Sequence, residues 1–294
     1  MTGRGRRLSL EAPAKINLYL KVLGRRADGY HELDSVMARL TLSDRLTLEI
    51  DGSGQLEDRL ISTTTLSGGL PPDFDGPGNL LLTGIRAFRR ALGGWPQAGV
   101  TVSMEKNIPL GSGLGGGSTD CAAVLAALNS QAPAPLSAED LRQLASGLGA
   151  DIPFFLQPRP LARARGIGEK LTEPPPEYAG WAGRGLILVN PGIEVSTGKV
   201  FTTLGLTNPP PDNNLGPVSW PGPGENDLFR PALQAAHEMT EAAESIEKLQ
   251  PVHWGLSGSG ATFWLHSDSP DRDLEKLKTA HPEWWIKKTS IAAL

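Results

Sequence analysis

The segment Asn107 to Asp120 reads NIPLGSGLGGGSTD, with five glycines among the eight residues from Gly111 to Ser118, and it runs directly into the apolar stretch CAAVLAALN. Each glycine held in a regular element costs roughly 0.5 to 1 kcal/mol relative to alanine, so this density calls for a tight turn or a closely approaching ligand. Ser118, Thr119 and Asp120 are good N-terminal capping types, which predicts a helix that starts around them with AAVLAAL as its body. Backbone N–H groups free of side chains, placed at a helix N-terminus with its partial positive charge, make an anion site suited to a nucleotide's phosphates. A plain glycine-rich turn is the alternative. The familiar nucleotide loops do not fit: GxxxxGK[ST] is absent, and GIEVSTGKV near Gly192 misses by one residue of glycine spacing and has Val200 after the lysine. A dinucleotide fold does not follow either, because the loop comes late in a region patterned as antiparallel strands.

Composition narrows the partners. A chain of 294 residues, 39% hydrophobic and 20% charged, can bury a real core and suggests two domains at roughly 150 residues each. With a net charge of -4 and a pI of about 5.8 it has no global basic footprint for nucleic acid or an anionic membrane, so phosphate binding has to be local. The single Cys121 excludes an internal disulfide, and the five histidines show no metal-ligand spacing, so a reducing, cytoplasmic setting without a structural metal is expected. No eighteen apolar residues run together, so neither a membrane span nor a signal peptide is expected, and the first residues read as a frayed tail leading into a strand.

Along the chain, Ile16, Leu18, Leu20 and Val22 alternate with Lys15, Asn17, Tyr19 and Lys21, which predicts a strand with one apolar face and places Lys15 and Asn17 on the other, about 6.6 Å apart. Asp28-Gly29 predicts a tight turn returning the chain antiparallel. Alternation recurs at Leu46, Leu48, Ile50 and at Val100, Val102, Met104, with a helix near Leu80 to Leu92 and a loop-like stretch from Asp51 to Gly78. Ser137 with Asp140 forms a weak capping box, and Leu136 with Leu141 a hydrophobic staple, for a second helix ending near Gly147 or Gly149. PRPLARARG after Gln157 marks a domain boundary. The second half reads as a strand at 186–189, a short helix, a proline-rich surface loop at 207–224, a long helix at 227–250, then strand, helix and strand.

The run PLGSGLGGGST resembles the phosphate-binding motif of the galactokinase, homoserine, mevalonate and phosphomevalonate (GHMP) kinase superfamily, and APAKINLYL with GRRADGYHEL resembles specifically its branch acting on 4-diphosphocytidyl-2-C-methyl-D-erythritol. LGADIPFFL, GIGE and LSGSGATFW resemble that branch's catalytic-aspartate segment, the stretch after it and the third, glycine-rich motif, so the likeness spans the chain. It implies an α+β fold of two domains: a ribosomal-protein-like ATP-binding domain at 1–163 and a ferredoxin-like domain at 164–294, with the active site in the cleft between them. It implies transfer of the ATP γ-phosphoryl group to an alcohol of the methylerythritol moiety, giving the 2-phosphate, in the non-mevalonate route to isoprenoids, with ATP and Mg2+ required and the metal ligands unassigned. The partner is a small cytidine diphosphate derivative, with no nucleic acid and no membrane, and the chain is expected as a monomer or weak homodimer.

Residue by residue, the resemblance makes Asp151 the base and Lys15 its cationic partner. An ammonium near the aspartate keeps the carboxylate ionised and orients the substrate hydroxyl. Asp151 precedes Ile152-Pro153, and a residue before proline is pushed out of the α region, which stiffens the backbone there; a helix or turn cap is the alternative role. Phosphate contacts fall on Pro109, Leu110, Gly111, Ser112, Gly113, Leu114, Gly115, Gly116, Gly117, Ser118 and Thr119. Asn79 and Lys106 fall at the adenosine end of ATP, or serve as a helix cap and a solvated strand-end charge. Asn17, Tyr30, His31 and Phe201 fall on the substrate, with Tyr30 and Phe201 covering the two faces of a cytosine and His31 its polar edge. Gly258 and Gly260 pack beside the phosphates or simply permit a tight turn. The sequence departs from the family between Gln157 and Arg165, where QPRPLARAR is stiffer and more basic than usual. Another superfamily member, such as a homoserine or mevalonate kinase, and an inactive nucleotide-binding regulator are the competing readings; DGYHEL counts against the first, and the presence of both Lys15 and Asp151 against the second.

Overall fold

The computed structural model describes residues 7–51, 56–206 and 222–293. In chain order their elements are β1 (Arg7–Arg25), β2 (His31–Ile50), β3 (Arg59–Thr64), α1 (Leu80–Ala91), β4 (Val100–Lys106), α2 (Gly116–Gln131), α3 (Ala138–Ser146), α4 (Ile152–Leu156), β5 (Leu161–Gly166), β6 (Lys170–Thr172), β7 (Gly185–Asn190), α5 (Thr197–Leu204), α6 (Phe229–Ala235), α7 (Met239–Glu247), β8 (His253–Leu256), β9 (Phe263–His266), α8 (Pro270–Ala280) and β10 (Trp285–Ser290). This is the expected α+β composition. Two compact units share the chain: one takes the described residues of Met1–Ala14, Leu42–Leu110 and Gly115–Pro158, the other Lys15–Thr41, Gly111–Leu114 and Arg159–Leu294. The chain passes between them several times, and β1 and β2 each contribute to both.

The first unit pairs β2 antiparallel with β4, Arg45 opposite Glu105 through Ile50 opposite Val100, and β3 parallel with β4. Leu46, Leu48, Val100, Val102 and Met104 point from these strands into a core completed by Leu81, Ile85 and Phe88 of α1 and Val124, Leu125 and Leu128 of α2. Strand alternation meets helical spacing, so each element buries the face its period predicts. Helix α1 starts where Asn79 Oδ1 accepts from Leu81 N at 2.9 Å, and α3 starts where Ser137 Oγ accepts from Asp140 N at 3.1 Å, with Leu136 and Leu141 against the core as the staple requires.

The second unit holds an antiparallel sheet in the order β10-β7-β9-β8, together with β5 paired to the early part of β2 and β6 paired to β5. Ile187, Val189, Phe263 and Leu265 face Val200, Ala232, Met239, Ala242 and Ile246 of the helices. Gly29, with φ of 88°, makes the turn between β1 and β2 as Asp28-Gly29 suggested.

Several expectations are corrected. Strand β1 is buried on both faces from Ala14 to Leu20, each residue at most 4% exposed, so the side of Lys15 and Asn17 is turned away from water as well as the apolar side. Strand β3 lies inside the stretch read as loop; its short RLISTT alternates Leu60 inward with Ile61 outward, and the surrounding Gly, Ser and Pro hide it. Helix α2 begins at Gly116, two residues before Ser118, with Gly115 as its cap. Residues 157–165 form mostly strand β5 rather than a connecting loop. Ile152 is helical although it precedes a proline, since Pro153 falls in the first turn of α4, where its missing N–H costs nothing. The expected helix at 227–250 is two, α6 and α7, broken at Ala236 without a glycine or proline to announce it. HWGLSGSGATFWLH is a hairpin, β8 with β9, not one strand. The proline-rich loop lies largely outside the described residues, as do the first six.

Gly84 of α1 packs so closely on α2 that a Cβ there would lie 2.6 Å from Cys121 Sγ. Gly→Ala inside a helix ordinarily gains up to about 1 kcal/mol, but overpacking a core costs about 1 to 3 kcal/mol. Gly84→Ala is therefore expected to lower the urea midpoint, and Cys121→Ala in the same chain to recover part of the loss. A midpoint raised by Gly84→Ala alone contradicts this packing.

Candidate active site

In the second unit, Lys15 is 4% exposed, yet its Nζ donates to Asn17 Oδ1 at 2.8 Å and its backbone N donates to Leu114 O at 2.9 Å. A charge so desolvated is tolerated only with hydrogen-bonding partners. Asn17 in turn donates from Nδ2 to Ser35 Oγ at 2.8 Å, and Ser35 donates to the carbonyl of Tyr19 at 2.6 Å. Tyr19 donates its phenol to Asp34 Oδ1 at 2.8 Å, and Arg163 grips both oxygens of Asp34. Burial first, then the Asp34 charge, pushes the Tyr19 phenol far above its ordinary pKa, so it is a fixed donor.

Gly258 adjoins the same cluster: a Cβ there would lie 3.7 Å from both Lys15 Nζ and Asn17 Oδ1. Gly258 and Gly260, with φ of 59° and 96°, form the turn between β8 and β9, closed by Ser257 N donating to Thr262 O. Gly113 approaches that turn so closely that a Cβ would meet Ser257 O at 2.2 Å, which only glycine permits. Ser112 and Leu114 are buried alongside it, whereas Leu110 and Gly111 are exposed and Pro109 half-buried.

In the first unit Gly115, with φ of 72°, caps α2 with no side-chain hydrogen bond. The first amides of α2 are thus spared a capping side chain, and Gly117 faces open space. Gly116 has a different reason to be glycine, because a Cβ would meet Lys106 Nζ at 2.9 Å. Ser118 is half-buried, and Thr119 Oγ1 is buried with no hydrogen-bond partner.

Lys106 is not the solvated strand-end charge considered above: it is 1% exposed and ion-paired to both Asp44 and Asp120. Asp44 also accepts from Ile108 N at 2.8 Å and Asn107 N at 2.5 Å. Burial works against the ammonium, but Asp120 and Asp44 outweigh it and raise the Lys106 pKa; burial likewise raises that of Asp120. Asn79 spends its amide on structure too, accepting from Leu81 N and donating to Phe74 O at 2.9 Å. Asp151 stands at the cap position of α4, half-buried, and does not use its side chain as the cap.

Tyr30 is 61% exposed, while His31 lies parallel to Phe201, ring centroids 4.6 Å apart at 21°. Burial, then the charge of Arg25, lowers the His31 pKa and keeps the imidazole neutral. The structure therefore brings together Lys15, Asn17, Gly113 and Gly258, and separately His31 with Phe201. Asp44, Asp120, Ser35, Asp34 and Arg163 were not anticipated. Only Asp120 stood in a motif; the others are polar residues in strands whose partners lie far along the chain.

The GHMP kinases N terminal domain family matches residues 79–158. The 4-diphosphocytidyl-2-C-methyl-D-erythritol kinase of Sinorhizobium medicae is 38% identical over 97% of this chain and 95% of its own, and that of Geobacter sp. strain M21 is 41% identical over 90% and 91%. A crystal structure of 4-(cytidine 5'-diphospho)-2C-methyl-D-erythritol kinase superposes with a TM-score of 0.73 at 32% identity, covering 96% of this chain and 99% of that one. Homoserine kinase from Cytophaga hutchinsonii shares the fold at 16% identity, with a TM-score of 0.67 over 97% and 95% of the two chains. The fold is common to these kinases, and it is the whole-length identity that resolves the branch: the chain belongs to the 4-diphosphocytidyl-2-C-methyl-D-erythritol kinase family of GHMP small-molecule kinases.

Proposed function

We propose that this chain transfers the γ-phosphoryl group of ATP to a hydroxyl of 4-diphosphocytidyl-2-C-methyl-D-erythritol, giving the 2-phosphate, in non-mevalonate isoprenoid biosynthesis. The observation that carries the reading is 37% to 38% identity over 97% of this chain to enzymes bearing that name. The chain divides functionally at 163/164, a division distinct from its compact units, and it works in the cytoplasm as a monomer or weak homodimer on small molecules alone.

Phosphoryl transfer asks the protein mainly to position the nucleophile and to neutralise developing charge. The amides that open α2, uncapped by any side chain and carrying the helix's partial positive charge, bind phosphate oxygens. Gly115 and Gly117 keep that approach clear. Asp151 accepts the proton of the attacking hydroxyl, and Lys15, its Nζ oriented by Asn17, orients the substrate. Asn79 and Lys106 act at the adenosine end by setting its walls, one through the α1 cap and the other through the Asp44 and Asp120 pairs. Magnesium would supply charge neutralisation at the transferred phosphoryl group.

Tyr30 offers an exposed ring to a cytosine, and His31, neutral and packed on Phe201, offers both a donor and an acceptor to its polar edge. With ATP and magnesium, the chain should phosphorylate the cytidyl substrate and leave mevalonate and homoserine unchanged; phosphorylation of mevalonate alone overturns the reading.

Asp151→Asn keeps the shape and removes the charge, so kcat should fall by about 10² to 10⁴, the usual worth of a positioned base, with ATP affinity by calorimetry within a few fold. Near-normal turnover would leave Asp151 a structural residue. For recognition, stacking on an aromatic ring is worth roughly 1 to 3 kcal/mol whatever the base, whereas hydrogen bonds to an edge discriminate. Tyr30→Ala should raise KM for the cytidine substrate and a uridine analogue together. His31→Ala should raise KM for the cytidine substrate and narrow the preference between them. Wild-type KM values in both variants would make the DGYHEL turn purely structural.

A further inference from the structure

We infer that Ser35 is a positioning residue for phosphoryl transfer: it fixes which end of the Asn17 amide faces Lys15. The inference rests on Lys15 acting in that transfer, as proposed above. The chain of partners has a direction set by chemistry at both ends. The Tyr19 carbonyl can only accept, so the Ser35 hydroxyl, 2.6 Å away, must spend its one proton there. Ser35 Oγ is then left as an acceptor, and the group 2.8 Å from it must be the NH2 of Asn17. That turns Asn17 Oδ1 toward Lys15 Nζ, which can only donate, at 2.8 Å. A flipped amide would set NH2 against ammonium at one end and oxygen against a protonless oxygen at the other.

The starting point of the chain is itself held from two sides. Asp34 and Ser35 are consecutive on β2, and both take hold of Tyr19 on β1, Asp34 through the phenol and Ser35 through the carbonyl. Arg163 of β5 fixes Asp34 in turn, with Nε donating to Oδ1 at 2.8 Å. Asn17 and Ser35 are 3% and 1% exposed, so water does not compete for these bonds. Gly258 leaves open the one direction in which a side chain would crowd both Lys15 Nζ and Asn17 Oδ1.

Without the Ser35 hydroxyl the Asn17 NH2 loses its buried acceptor, so the amide is held only from the Lys15 side and positions the ammonium less firmly. The readout is therefore kcat, with KM for ATP largely untouched. One hydrogen bond of net worth corresponds to a fall of about three- to ten-fold, which is expected for Ser35→Ala. Ser35→Thr, which restores the hydroxyl and suits a strand, should return kcat to within about two-fold. The decisive measurement is the double variant. Ser35→Ala added to Lys15→Ala should lower kcat no further, because residues acting through one another are not additive. Ser35→Cys, close in size and a weak donor, replaces the alanine variant if that does not fold, and thermal unfolding of each variant checks the fold.

A fall of similar size from Ser35→Ala in the wild-type and Lys15→Ala backgrounds overturns the positioning role and leaves the Lys15 reading intact. Wild-type kcat in Ser35→Ala overturns it as well. Wild-type kcat in Lys15→Ala removes the catalytic assignment itself, and the positioning role with it.

Discussion

A single buried ammonium, Lys106 Nζ, ties together the three pieces of backbone that make the glycine loop possible. Asp44 comes from β2, Lys106 ends β4, and Asp120 lies in the first turn of α2. Desolvating three charges is expensive, and breaking such a group by removing one partner typically costs about 3 to 5 kcal/mol. An apolar replacement of the same shape is often no less stable, so the cluster is better understood as a specifier of geometry than as a source of stability. Its geometry supports that view. Asp44 accepts from the two amides that follow the strand, at Asn107 and Ile108, which fixes where the chain leaves β4. Lys106 then presses on Gly116 at the start of α2. The loop's freedom is confined between two pinned ends, so its glycines supply φ values and closeness without supplying disorder.

The same device recurs in the second unit with a different outcome. Lys15 is buried nearly as deeply as Lys106, and its Nζ donates to the neutral amide of Asn17, which Ser35 holds in turn. Lys106 sits instead between the carboxylates of Asp44 and Asp120.

How far the sequence speaks depends on the range of the interaction that decides each feature. Local signals held: the caps at Asn79 and Ser137, the Asp28-Gly29 turn, and the alternation of β2 and β4 all rest on residues within a few positions of one another. Gly115 at the cap of α2 displaced Ser118, because backbone φ settled the start before any side chain could. The partners of the buried polar side of β1 were illegible, since nothing near Lys15, Asn17 and Tyr19 in sequence names Ser35, Asp34 or Arg163, the last over a hundred positions away. The break between α6 and α7 has no sequence signal. The family motifs carried Lys15, Asp151 and the loop as expectations, but nothing in them pointed to the residues that hold those groups in place.

Specificity is the feature that the fold shares least. A homoserine kinase superposes on almost the whole chain at 16% identity, so the fold by itself does not decide which alcohol is phosphorylated. That decision has to rest on side chains that the scaffold leaves free to vary. Here the turn after β1 carries Tyr30 and His31, and α5 supplies Phe201, 170 positions beyond His31. The parallel contact between the His31 and Phe201 rings means that the imidazole cannot rotate without losing aromatic packing. A recognition group fixed in advance loses less entropy when it binds. Tyr30 has no such support and stays 61% exposed. The two rings therefore differ physically, one packed against a second ring and the other open to solvent.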